Sequence, residues 1–166
     1  MNEDNRRFGV VRHTDSGSEG ILTRRFEHSR ETVWKLMTEE DGIAQWIAPG
    51  TIEAREGGRV HIDFADSGII IDSPLTVFEP MEMLSYSWSS GDEPERPLLF
   101  ELEEDGAATK LTLSVMLPKG EDIAKACAGF DAHLEMLAAA LEGVPLKFPF
   151  EHYLAARKAY QEMLAE

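Results

Sequence analysis

One segment constrains this chain more than any other. From Gly120 to Gly143, Ile123, Ala126, Cys127, Phe130, Leu134, Leu137 and Leu141 fall within a narrow arc at 100° per residue, which predicts a long amphipathic helix. Its apolar face needs a partner surface, and the preceding stretch offers one. Thr51 to Glu56 and Arg59 to Phe64 read as strands flanking Gly57-Gly58, a two-residue hairpin turn. Ile69 to Ile71, Leu75 to Phe78 and Leu84 to Trp88 follow, broken by Ser73-Pro74 and Pro80. Ser89 to Pro97 reads as a loop. Leu98 to Glu103 and Lys110 to Leu117 alternate and join through Glu104-Asp105-Gly106. Hairpin-joined strands imply an antiparallel sheet. A single amphipathic helix across a curved sheet buries both apolar faces, so the expected class is α+β.

The flanking regions complete the plan. Residues 1–7 are polar and are expected to form a flexible terminus. Phe8 to Arg12 predicts a short strand, Thr14 to Gly20 a turn, and Ile21 to Glu27 a second strand. Ser29 is placed to cap a helix over Arg30 to Met37, with Val33, Leu36 and Met37 on one face. Thr38-Glu39-Glu40-Asp41 has capping-box form and predicts a second short helix carrying Ile43, Trp46 and Ile47. After Gly143, Pro145 and Pro149 interrupt the pattern. A last helix over Glu151 to Ala165 presents Tyr153, Leu154, Tyr160 and Leu164 as an apolar stripe suited to self-association, so a homodimer is one expected partner state. The expected division is a terminus at 1–7, a domain at 8–143 and a helical extension at 144–166.

Charge removes several function classes. Lys+Arg 16 against Asp+Glu 31 leaves a formal charge of −15. Such a surface repels polyanions, which argues against nucleic acid and anionic membrane as partners. The lone Cys127 has no partner for an internal disulfide, which favours a reducing compartment. The N-terminal MNEDNRRFGVV lacks a secretory apolar run, so a cytoplasmic location is expected.

Motifs for common chemistries are absent: no phosphate-binding loop, dinucleotide fingerprint, HExxH or paired-cysteine metal site occurs. No cofactor and no metal site is expected. His61 and Asp63 share one strand face, but Val60, Ile62 and Phe64 on the opposite face would pack inward and leave them solvated. Cys127 falls within the apolar arc and reads as an inert core thiol. His133 has two readings. On the helical wheel it sits beside Ala126, Gly129 and Ala140, a small-residue flank that either packs closely on the sheet or leaves room for a ligand. Large aromatics near that flank would line a mostly apolar pocket with a few polar handles.

Several segments together resemble the SRPBCC (START-like, birch-pollen-allergen-like) superfamily, in the branch of homologues of the activator of the heat-shock protein 90 ATPase. Arg25 to Thr38 is similar to that branch's opening strand and ExVW helix, Trp46 to its tryptophan after the second short helix, and Gly57-Gly58-Arg59-Val60 to its GG hairpin. Glu79 to Trp88 resembles its P-x-x-L-x-Y-x-W segment, Thr109 to Leu113 its TrLtL, and Ala128 to Leu137 its GWxxHLdxL. Phe130 stands where the branch usually has Trp, and Val115 where a histidine often ends the last strand.

The resemblance implies a helix-grip fold. A curved antiparallel sheet would wrap the long C-terminal helix around a cavity, with two short helices and here an extra C-terminal helix. It further implies a small hydrophobic or amphipathic ligand. The residues expected to line the cavity are Trp46, Phe64, Ile71, Tyr86, Trp88, Phe100, Phe130, His133 and Leu137, with Tyr86 or His133 orienting the ligand. No catalytic set is identified. Two alternatives stand beside ligand binding: a cyclase or hydrolase using His133 or Tyr86, and a regulatory module acting on a chaperone partner.

Overall fold

Side-chain oxygens at Ser29 and Asp122 start the two helices around which the chain is organised, accepting from Thr32 N (3.2 Å) and Lys125 N (3.1 Å). The computed structural model describes residues 8–64, 67–144 and 146–165; the expected terminus at 1–7 and the helix-breaking Pro145 lie outside the described residues. In chain order, β1 (Val10–His13) and β2 (Gly17–Phe26) precede α1 (Arg30–Thr38) and α2 (Glu40–Trp46). Next come β3 (Gly50–Ile52), β4 (Arg59–Phe64) and β5 (Ile69–Pro74). Then β6 (Val77–Glu79), β7 (Met83–Ser87), β8 (Pro97–Asp105) and β9 (Ala108–Pro118) lead into α3 (Ile123–Leu141) and α4 (Phe150–Ala165).

The architecture is α+β with a helix grip. Six strands form a curved antiparallel sheet in the order β1-β2-β9-β8-β7-β6. Its inner face presents Leu22, Leu98, Leu111, Leu113 and Val115, all fully buried, and α3 packs against β1, β2 and β9 with Cys127, Ala128, Leu134 and Leu137 inward. One expectation changes here. The strands divide into two sheets, because β3, β4 and β5 pair only among themselves. The small sheet is stitched to the large one where Ser87 N donates to Ser73 Oγ (2.9 Å) and Asp72 N to Ser89 O (3.0 Å).

Three local expectations are also corrected. β2 begins at Gly17, not Ile21, because Gly17–Gly20 find partners in Pro118–Val115, and a full ladder overrides turn-rich composition. A Cβ at Gly20 would lie 2.2 Å from Cys127 Sγ, so glycine here lets α3 approach the sheet. The connection at Gly57-Gly58 is longer than a two-residue turn. Residues 53–58 are closed by Glu53 N to Arg59 O (2.9 Å) and Gly58 N to Arg55 O (3.0 Å), with Gly57 at φ 79°. Thr38 does not cap α2. It ends α1, its hydroxyl donating to Trp34 O (2.8 Å), and Glu39 takes the cap position without a side-chain bond.

α4 packs back on α3 and β1, and the stripe expected to drive self-association is largely used inside the molecule. Tyr160 is fully buried, Tyr153 and Leu164 are half-buried, and only Leu154 remains exposed. What holds α4 down is a buried carboxylate. Asp131 on α3 has no exposed surface and accepts from the Tyr160 hydroxyl, from Arg24 on β2, and from His152 Nε2 at 3.3 Å. The Tyr160 hydroxyl in turn accepts from Gly9 N (2.9 Å). Burial alone would raise the Asp131 pKa, but the His152 hydrogen bond, the Arg24 charge and the Tyr160 hydroxyl hold it below its ordinary value.

Among the described residues, no helix is long and apolar enough to cross a membrane.

Removing this carboxylate should cost much of the stability. Asp131→Ala leaves Arg24, among the described residues, with Glu135, 3.5 Å away, as its one carboxylate, and should lower the unfolding free energy by about 3 kcal/mol. Tyr160→Phe, which orphans Gly9 N, should cost about 1–3 kcal/mol. Urea unfolding measures both. A lowered carboxylate pKa stabilises the fold above the unfolded value near ~4 and loses that contribution as pH falls through the folded value, so the wild-type advantage over Asp131→Ala should shrink in acid.

Candidate functional site

Where the two sheets part, one flank of α3 faces open space, a cavity of about 1280 Å³. α3 contributes Ala126, Gly129, Phe130, His133 and Met136 to the wall, a set at helical spacing one row away from the residues packed on the sheet. The small sheet adds Phe64, Ile69 and Ile71, and β9 adds Val115 and Leu117. Ile47 and Ala48 close it at the end of α2, Trp88 and Arg96 at the loop between β7 and β8, and Phe148 and Tyr153 at the start of α4. A Cβ built at Gly129 meets nothing within 4 Å. Of the two roles open to the small-residue flank, Gly129 leaves room instead of packing.

The wall is held by aromatic edges. The Trp88 ring stands edge-on to Phe130 (5.1 Å between centroids) and to Phe64 (5.7 Å). The His133 imidazole lies between Phe64 (6.1 Å) and Phe148 (5.5 Å), both edge-on, and Phe148 rests on Tyr153 (5.8 Å). Such pairs are favourable because the positive ring edge meets the negative face.

His133 is a half-buried polar group in this wall. Its Nδ1 lies 2.8 Å from Trp46 O. A carbonyl only accepts, so Nδ1 carries the proton and Nε2 keeps its lone pair. Burial lowers the His133 pKa, an effect the Trp46 hydrogen bond only partly opposes, and the ring is therefore neutral at pH 7. Towards solvent the cavity becomes charged. Arg96 bonds Glu121 at 2.6 and 3.1 Å, and this pair closes one side of the mouth.

Of the nine residues expected to line a cavity, Phe64, Ile71, Trp88, Phe130 and His133 lie on this wall. The other four lie elsewhere, and each is a correction. Tyr86 and Phe100 stack on each other at 5.9 Å within the core, and burial raises the Tyr86 pKa, so this phenol has no part in the cavity. The Trp46 indole N–H donates to Leu36 O (2.6 Å), which turns the ring towards Phe100; Trp46 reaches the site through its carbonyl, not its ring. Leu137 is fully buried one turn beyond His133, on the sheet-facing row.

The residues that were not anticipated have separate causes. Met136 follows His133 at i+3 and was readable from the wheel. Val115 and Leu117 continue the inward face of β9 with period two. Arg96 and Phe148 come from loop and linker segments that carry no periodicity, and Tyr153, expected on the α4 stripe, reaches the cavity from the first turn of that helix. Val115 occupies the position where a histidine was noted in relatives, so this wall is apolar here. His61 is exposed, 3.6 Å from Asp72, while Asp63 lies on the cavity rim. Among the described residues, no three His, Cys, Asp or Glu side chains converge as metal ligands would. Cys127 is buried beside Gly20, its thiol pushed up to about 12 by burial and by the Asp131 charge.

A curved sheet gripping a long helix, with a cavity along the helix flank, places the protein in the helix-grip class. The sequence profile of the family described as Activator of Hsp90 ATPase homolog 1-like protein matches residues 27–142, and the chain belongs to that family. No curated protein matches the sequence. Among solved structures, it is similar to CalU16 from Micromonospora echinospora, with a TM-score of 0.80 and 18% identity over 95% of this chain and 98% of that one. It is also similar to DynU16, described as a protein in the dynemicin biosynthetic locus, with a TM-score of 0.67 and 28% identity over 76% of this chain and 48% of that one. The Aha1 dimer from Colwellia psychrerythraea shares the fold at a TM-score of 0.62 and 20% identity, over 74% of this chain and 96% of that one.

The His133 assignment is open to direct measurement. Long-range ¹H–¹⁵N spectra at pH 7 should show a neutral ring protonated on Nδ1, the less common tautomer. A folded pKa below the unfolded ~6.5 means that protonation favours unfolding. The His133 contribution to stability should therefore fall as pH drops below ~6.5, and His133→Gln should flatten that part of the profile.

Proposed function

We propose that this protein binds a small hydrophobic or amphipathic molecule in the α3 cavity and carries no chemistry of its own. One observation carries the reading: Gly129, in the middle of a long helix, faces open space inside an aromatic wall. An unfilled position there has no packing purpose, because glycine in a helix interior costs about 0.5–1 kcal/mol relative to alanine. Apolar burial would supply the affinity, at about 25 cal/mol per Å² before the costs of association. In this reading residues 8–143 form the grip and the 144–166 extension lends Phe148 and Tyr153 as one wall. DynU16's membership of a biosynthetic locus is consistent with small-molecule work in this family. A cyclase or hydrolase reading retains only His133, since Tyr86 lies outside the cavity.

Filling the space tests the proposal. An environment-sensitive apolar dye should bind the wild type at one site per chain. Gly129→Trp should weaken it at least tenfold while leaving the melting temperature within a few degrees. Gly129→Ala should keep binding and gain about 0.5–1 kcal/mol in stability from helix propensity. Native mass spectrometry of freshly purified protein would report any molecule already held. Equal dye affinity in wild type and Gly129→Trp would overturn the proposal.

A further inference from the structure

We infer that the cavity selects an uncharged aromatic alcohol, a phenol whose hydroxyl donates to His133 Nε2; this rests on the ligand-binding reading and specifies it. The polarity of the site follows from one hydrogen bond. Because Nδ1–H is committed to Trp46 O at 2.8 Å, the imidazole presents its other nitrogen as an acceptor, and among the described residues nothing donates to it. The end of α2 thus decides the chemistry offered by α3. A ligand carbonyl or ether oxygen finds no donor there, whereas a hydroxyl hydrogen finds an acceptor.

Ring character follows from the surroundings of that nitrogen. Phe64 and Phe148 stand edge-on at either side of the imidazole, with Trp88 and Phe130 beyond. Aromatic surface on both sides of the imidazole favours an aromatic ring over a saturated chain, through the edge and face contacts that rings make with one another. The absence of charge follows from the rim. Among the described residues, Asp63, Glu93, Glu121 and Asp122 oppose only Arg96 and Lys125, and Arg96 is already held by Glu121 through two bonds. An anionic group entering this mouth meets net negative charge, and at the His133 end it meets a lone pair.

Three related probes separate the terms: estrone, its methyl ether and its sulfate ester, measured by calorimetry on the full chain. All share one ring frame; the ether loses the donor and the sulfate replaces it with an anion. Estrone should bind at least tenfold more tightly than the ether, and the sulfate more weakly than either. In His133→Phe, the preference for estrone over its ether should vanish. Should that variant fail to fold, the ¹⁵N shift of His133 Nε2 in the wild type serves instead, and it should move on adding estrone but not the ether. Equal binding of estrone and ether, tightest binding of the sulfate, or a stationary Nε2 shift in the estrone-bound protein would overturn this inference and leave cavity binding standing. Failure of all three probes to bind, together with failure of the apolar dye, would overturn both.

Discussion

A carboxylate taken out of water must be surrounded by donors, and Asp131 imposes this demand from the middle of α3. Arg24 answers from β2, Tyr160 and His152 from α4, and Tyr160 passes the constraint on to Gly9 just before β1. One buried charge therefore ties the first strand, the second strand, the long helix and the last helix together. A buried ion pair is a poor source of net stability compared with well-packed apolar residues, but breaking one is expensive. The arrangement thus favours one placement of α4 over others that would bury similar apolar area.

That placement shapes the cavity. With α4 anchored at Asp131, its first turn and the linker before it lie along the α3 flank beside His133, and Phe148 and Tyr153 become wall. On the far side, the small sheet is hydrogen-bonded to the large one at Ser73–Ser87 and Asp72–Ser89 but shares no ladder with it among the described residues, so the inner surface does not close continuously. α3 packs its large residues on the six-stranded sheet and turns Ala126 and Gly129 towards the gap. The cavity is what remains when a helix is gripped on one row and left small on the next.

Much of this was legible from residue order. The α3 arc, the Ser29 cap, the alternation of β8 and β9 and the solvated face carrying His61 all follow from local periodicity and hydrogen-bonding chemistry. Five of nine expected cavity residues fall on the wall for the same reason: they project from inward faces near the small-residue flank. The four that do not were inward as well, and the pattern cannot distinguish a residue buried in protein from one facing a void. Tyr86 and Phe100 satisfy each other, and the Trp46 ring is turned away by a single bond to Leu36 O. The turn composition of Gly17–Gly20 gave way to pairing with β9, because a partner strand is a stronger claim on a backbone than its own residue preferences.

The amino-acid order alone thus determined the class of fold, the helix around which it closes, and the presence of a histidine beside small residues on that helix. These depend on periods of two and 3.6 residues, which are local. Only the tertiary structure decided that the sheet splits, that α4 folds back onto Asp131, and that the carbonyl of Trp46 takes the proton-bearing side of His133. Each of those depends on groups far apart in sequence meeting at hydrogen-bond distance. The chemistry of the cavity is set by that meeting, since an imidazole offers a donor or an acceptor according to what occupies its other nitrogen.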